Sequence, residues 1–64
     1  MHDIARSRKM ENGIVVFWEE NGKGKSESFN YQDLIDMKIN ALDLIDNPGG
    51  YSVDREAHRI VMKK

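Results

Sequence analysis

This chain has no cysteine, one proline and no apolar run longer than the five residues Ile14–Trp18. Without cysteine, neither disulfides nor cysteine-based zinc sites can staple it, and such a composition suits a reducing compartment. The apolar run is far short of the roughly 20 residues that cross a bilayer as a helix. Neither sign of charge dominates: 10 Lys and Arg face 11 Asp and Glu, for a net charge of -1. A dedicated nucleic-acid coat would be strongly basic. Basic residues near the N-terminus are followed by no apolar segment, so no secretion signal is read there and a cytoplasmic protein is expected.

What remains is a chain of 64 residues, 39% hydrophobic and 33% charged. At this length a domain buries only about 60% of the surface its unfolded chain exposes, so its stability is marginal. One small core is expected, with a homodimer as one way to complete it.

Residues 1–10 carry Arg6, Arg8 and Lys9 with no clear period and read as a loose basic arm, outside a folded unit spanning 11–64. Glu11-Asn12-Gly13 reads as a turn. Ile14 to Glu20 is rich in β-branched and aromatic residues and predicts a strand. Asn21-Gly22 predicts a hairpin, because both residues tolerate the positive φ of such turns. Lys25 to Phe29 then returns as a polar edge strand. Asn30 and Asp33 form a capping-box pattern and open a helix expected from Tyr31 to about Asp46. On one continuous helix, Leu34, Met37, Ala41, Leu42, Leu44 and Ile45 share a face. Asp33, Asp36, Asn40, Asp43 and Asn47 oppose it, with Asp33 and Asp36 near the positive end of the helix dipole. Asn47-Pro48-Gly49-Gly50 stops the helix. Residues 51–62 read as one bulged strand, or as two strands about a turn at 54–57, with the first preferred. No internal repeat is read. The expected fold is α+β: an antiparallel hairpin plus a C-terminal strand crossed by one amphipathic helix, ββαβ. Its expected core is Val16, Leu34, Leu42, Ile45, Val53 and one of Phe17 or Trp18.

No catalytic pattern emerges. His2 and His58 stand at opposite ends of the chain without metal-ligand spacing. Ser26, Ser28 and Ser52 lack an elbow motif or an adjacent base. Neither Gly22-x-Gly24 nor Gly49-Gly50 follows a strand and opens a helix as phosphate loops do. The reading is a non-enzymatic protein with no cofactor and no metal. Two surfaces remain. Phe17 and Trp18 alternate on one strand, so one of them faces away from the helix, and a large exposed aromatic marks an interface. The helix carries an acidic stripe of Asp33, Asp36, Asp43 and Asp46, with Asn40 among them and Ile39 as an apolar knob. Arg55 and Arg59 lie on the last strand. The expected partner-binding set is therefore Trp18, Asp33, Asp36, Ile39, Asn40, Asp43, Arg55 and Arg59.

Phe17-Trp18 on the first strand, Ser28-Phe29 closing the hairpin, Tyr31 opening the helix, and Pro48-x-Gly50-Tyr51-x-Val53-x-Arg55 form a pattern over roughly residues 15–55. The pattern resembles that of the small early inhibitors of bacterial RNA polymerase made by lytic coliphages. The resemblance implies a hairpin, one helix and a final strand, and a role for a pair of arginines on that strand. Arg55 matches the first; Ala57 stands where the second would fall, so the implication broadens to a phage or mobile-element protein that blocks a host machine. The leading expectation is a protein-binding inhibitor in the host cytoplasm, acting on RNA polymerase or another nucleic-acid enzyme. The alternatives are a small nucleic-acid-binding module using the basic arm, Trp18, Arg55 and Arg59, and a self-associating subunit. No membrane partner is expected.

Overall fold

The computed structural model describes residues 1–63. The chain is α+β, built from two antiparallel three-stranded sheets and two short helices. This corrects the expectation of one sheet under one helix. Strands β1 (His2–Asp3), β5 (Tyr51–Asp54) and β6 (Arg59–Met62) form the first sheet, in the order β1-β5-β6. Strands β2 (Arg6–Met10), β3 (Gly13–Glu20) and β4 (Lys23–Asn30) form the second, in the order β2-β3-β4.

The residues expected as a loose arm are thus two strands. They hand one extended segment from sheet to sheet: the Ile4 N–H donates to the Tyr51 carbonyl at 3.1 Å, and the next amide, Ala5, donates to Phe17 at 2.8 Å. Alternation along β2 was hidden because only one of its faces is apolar-covered, and even there Ser7 and Lys9 are polar.

The β3–β4 hairpin is as its sequence predicts. Asn21 and Gly22 both have positive φ, 56° and 79°, the signature of a two-residue type I′ turn. Glycine is required at Gly13 for a different reason. A Cβ there would lie 1.9 Å from the Phe29 carbonyl oxygen.

Residues 51–62 form two strands rather than one bulged strand. Asp54 accepts hydrogen bonds from the amides of Glu56 and Ala57, at 3.2 and 3.3 Å. His58 takes a positive φ of 51°, and Asp54 pairs with Arg59 beyond the turn. The Asp side chain thus supplies the turn that no glycine marks.

The expected helix is two helices, α1 (Tyr31–Asp36) and α2 (Ala41–Asp46). Lys38 interrupts them at φ 60°. The Ile39 amide donates to Leu34 at 2.9 Å and the Lys38 amide to Ile35 at 3.0 Å, which is a Schellman end with its apolar contact between Leu34 and Ile39. Asn40 then caps α2 by accepting from the Asp43 amide. The sequence does contain a repeat: Asn30-x-x-Asp33-Leu34-Ile35-Asp36 and Asn40-x-x-Asp43-Leu44-Ile45-Asp46. Each copy places an Asn cap, an Asp three residues on and a buried Leu after it. Phe29 and Leu34 bracket the first cap and Ile39 and Leu44 the second. All four are in the core, the arrangement of a hydrophobic staple.

The left-handed turn resets the helical phase, and the predicted core changes accordingly. Val16, Leu34, Val53 and Trp18 are buried. Ile45 packs at the core margin. Leu42, expected inside, is 77% exposed. Ile4, Ile14, Phe29, Ile39, Leu44, Tyr51 and Ile60 complete the core. Both helices cover its inner side. The Ser7 hydroxyl donates to the Leu44 carbonyl at 2.7 Å, and the Ile60 amide reaches the Met37 sulfur at 3.2 Å. No helix among the described residues is long and apolar enough to cross a membrane.

Candidate functional site

The residues expected to bind a partner do not form one surface. Trp18 is 2% exposed, its ring turned into the core. Its indole N–H donates to Glu20 Oε1 at 3.3 Å. His2 stacks beside it at 6.0 Å, and the Arg55 guanidinium lies 5.8 Å from the ring centre. Arg55 also donates to Glu20 at 3.1 Å. The Trp18 hydrogen bond, opposed by partial desolvation and assisted by Arg55 and His2, holds the Glu20 carboxyl below its ordinary range. Trp18, Glu20, Arg55 and His2 thus tie β1, β3 and the β5–β6 turn together. Arg55 is a strut here, and Trp18 is a core residue rather than an exposed aromatic. Arg59 is exposed on β6, on the sheet that does not contain Trp18.

The acidic stripe is likewise dismantled. Asp33 closes the capping box of α1 and lies 3.7 Å from His58 Nε2. His58 also contacts Glu27 through Nδ1 and stacks on Phe29 at 4.4 Å, clasping the β5–β6 turn to β4. Asn40 is a cap, and Ile39, expected as an exposed knob, is 9% exposed. Asp43 accepts from the Tyr51 hydroxyl and from Asn47 Nδ2, the latter at 3.0 Å. These bonds outweigh desolvation and hold its carboxyl below the usual range. In return, burial and the Asp43 contact push the Tyr51 hydroxyl up to about 12. Asp33 and Asp43 therefore hold the fold together from its surface.

What the helices leave outward is a smaller set. Ile35 is 65% exposed, Leu42 is 77% exposed, and Asp36 and Asp46 are exposed as well. Asp36, expected near the positive end of a long helix, is the last residue of α1, and Asp46 is the last of α2. Neither helix has a basic residue in its last turn. A carboxylate at the negative end of a helix is unfavourable by a few tenths of a kcal/mol; Asp36 offsets part of this by accepting an exposed hydrogen bond from Gln32 Nε2 at 3.0 Å.

A second surface is the outward face of β2-β3-β4. Register puts Arg6, Phe17 and Ser26 in one cross-strand row and Arg8, Val15 and Ser28 in the next. The inward alternates Ile14, Val16 and Trp18 are buried, so Phe17 and Val15 point away from the core. Arg6 lies over the Phe17 ring, 4.9 Å from its centre. A shallow depression of about 440 Å³ is lined by Arg6, Phe17, Trp18, Glu19, Gly24, Lys25 and Ser26. A second, of about 280 Å³, adjoins it over Arg6, Ser7, Arg8 and Phe17. This surface is not visible in the sequence because Arg6, Ser7, Arg8 and Lys9 are all polar, so no alternation marks β2. Among the described residues, no group of three or more His, Asp or Glu side chains is placed to hold a metal.

Comparison with protein-family models, with curated protein sequences and with solved structures finds no match to this chain.

Proposed function

We propose that this chain is a non-enzymatic protein-binding module that blocks a host macromolecular machine, with a nucleic-acid enzyme such as RNA polymerase as the partner class. Its docking surface is the outward side of the two helices. The observation that carries this reading is the pairing of Ile35 with Asp36 and of Leu42 with Asp46. Each pair sets an exposed aliphatic side chain on a helix that ends in an exposed aspartate with no basic residue in its last turn. In isolation these features gain little: the aliphatics stay in water, the acids oppose the helix dipole, and the Gln32–Asp36 bond lies exposed to water. Both are relieved by a partner offering apolar contact ringed by Lys or Arg. Aliphatic groups supply the area and rim charges select the partner and speed its approach.

The test separates docking from folding. Asp36→Lys combined with Asp46→Lys complements both helix ends, so the melting temperature should hold or rise slightly. Affinity capture from bacterial lysate should then lose the proteins retained by the wild-type chain. Retention of the same proteins by the double variant would refute the docking surface.

A further inference from the structure

We propose that the outward face of the β2-β3-β4 sheet is a second binding site, one that takes a short single strand of nucleic acid. The site is independent of the helical surface: α2 is bonded to the inner side of β2 through Ser7, so the two surfaces lie on opposite sides of the core.

Four features of the face converge. Phe17 is an outward, half-buried aromatic in the middle strand, with the Arg6 guanidinium lying over its ring. A base can stack on such a platform without regard to sequence. Arg6 covers that ring at 4.9 Å from its centre, so an incoming base either stacks on the guanidinium plane or displaces it towards its own phosphate. Arg8 follows two residues along the same strand and face, about 6.8 Å away by strand geometry, which is comparable to the spacing of successive phosphates in an extended strand. Exposed Ser26 and Ser28 border the other side of the aromatic row and offer hydroxyls to base edges or sugars. The adjoining depressions share Arg6 and Phe17, so they form one continuous path over the row. Glu19 stands at the end of that path and repels phosphate, which limits the footprint to a few nucleotides. A duplex hides its base faces and gains only the arginine contacts. The site differs from the arrangement expected from sequence, since Trp18 is inside and Arg55 and Arg59 belong to the other sheet's end.

Fluorescence anisotropy with labelled oligo-dT and oligo-U of about ten nucleotides, within the usual single-strand site size, tests this on the full chain at low salt. Binding should exceed that of a duplex of equal length. It should weaken with salt at a log–log slope of about -1.4, for two phosphate contacts. A preference between the two oligomers tells DNA from RNA. Phe17→Ala should weaken binding roughly 5- to 150-fold, the range for a lost base stack, and Phe17→Trp should restore it. Arg8→Glu should weaken it as well, whereas Arg59→Glu, the same charge change on the other sheet, should not. Should Phe17→Ala lose its circular dichroism signature, Ser28→Glu at the exposed border supplies the same test. The proposal is overturned by equal binding of duplex and single strand, or by inorganic polyphosphate binding as tightly with no dependence on Phe17. It is equally overturned if Phe17→Ala and Arg8→Glu abolish protein capture while leaving oligonucleotide binding unchanged.

Discussion

The helical side and the outward sheet face use polar residues in opposite ways. On the helices most polar side chains are consumed by the fold: Asn30, Asp33, Asn40 and Asp43 all bond backbone amides or neighbouring side chains. The terminal Asp36, which accepts only an exposed bond from Gln32, and Asp46 stay outward with Ile35 and Leu42. On the sheet face the reverse holds. Arg6, Arg8, Ser26 and Ser28 alternate with the buried set and none is needed to close a turn or cap a helix. A short helix must spend its side chains on its own unsatisfied ends, whereas a strand satisfies its backbone through its neighbours. The sheet can therefore present a more varied surface.

That contrast can be broken at its inner boundary first. Trp18→Ala should cost about 3–5 kcal/mol, a large part of the roughly 3–10 kcal/mol available to a chain of this length. Phe17→Ala, one residue away but outward, should cost about 1 kcal/mol. Urea denaturation of both variants measures the difference; equal losses would mean that the two aromatics are not on opposite faces. The corresponding pair on the helical side is Ile39 and Leu42. Ile39→Ala removes a side chain that both ends α1 and staples α2, and should cost about 2–5 kcal/mol. Leu42→Ala should stay within about 0.5 kcal/mol by the same measurement. A smaller effect sharpens the reason the helix breaks. Lys38→Gly relieves a left-handed residue and should raise stability by about 1 kcal/mol; a loss would mean the Lys side chain itself holds the turn.

The smallest effect is confined to alkaline pH. Tyr51 has its hydroxyl raised from 10.0 to about 12 by burial and by Asp43. The folded chain therefore keeps that proton where the unfolded chain loses it. The contribution is whole below pH 10, declines as pH rises and is gone by about pH 12. Tyr51→Phe should flatten the fall in melting temperature over that window, and an unchanged slope would assign the fall to other groups.

Much of this was legible beforehand. Asn21-Gly22 announced the hairpin because only positive-φ residues make its turn. Asn30 and Asp33 announced the start of α1. Alternation showed that Phe17 and Trp18 face opposite ways. The end of α1 was not legible, because Lys38 stands where glycine usually signals a Schellman turn. The same 100° spacing was then carried through the break, placing Leu42 inside and Ile39 outside. Recognition of the Asn-x-x-Asp-Leu-Ile-Asp repeat would have corrected both. The β5–β6 turn was obscured for a related reason, since Asp54 makes it with a side chain rather than with glycine.

Local sequence alone determined the hairpin, the helix start at Asn30 and the near-zero charge, since each depends on dihedral preference or composition over a few residues. Tertiary structure decided which aromatic is buried, that residues 2–3 and 6–10 are strands, and which of the acids stay outward. Those outcomes depend on partners distant in the chain: β5 and β3 for the N-terminal segment, Leu44 for Ser7, Tyr51 for Asp43. A short polar strand has no period of its own strong enough to declare itself until a neighbouring strand supplies its hydrogen bonds.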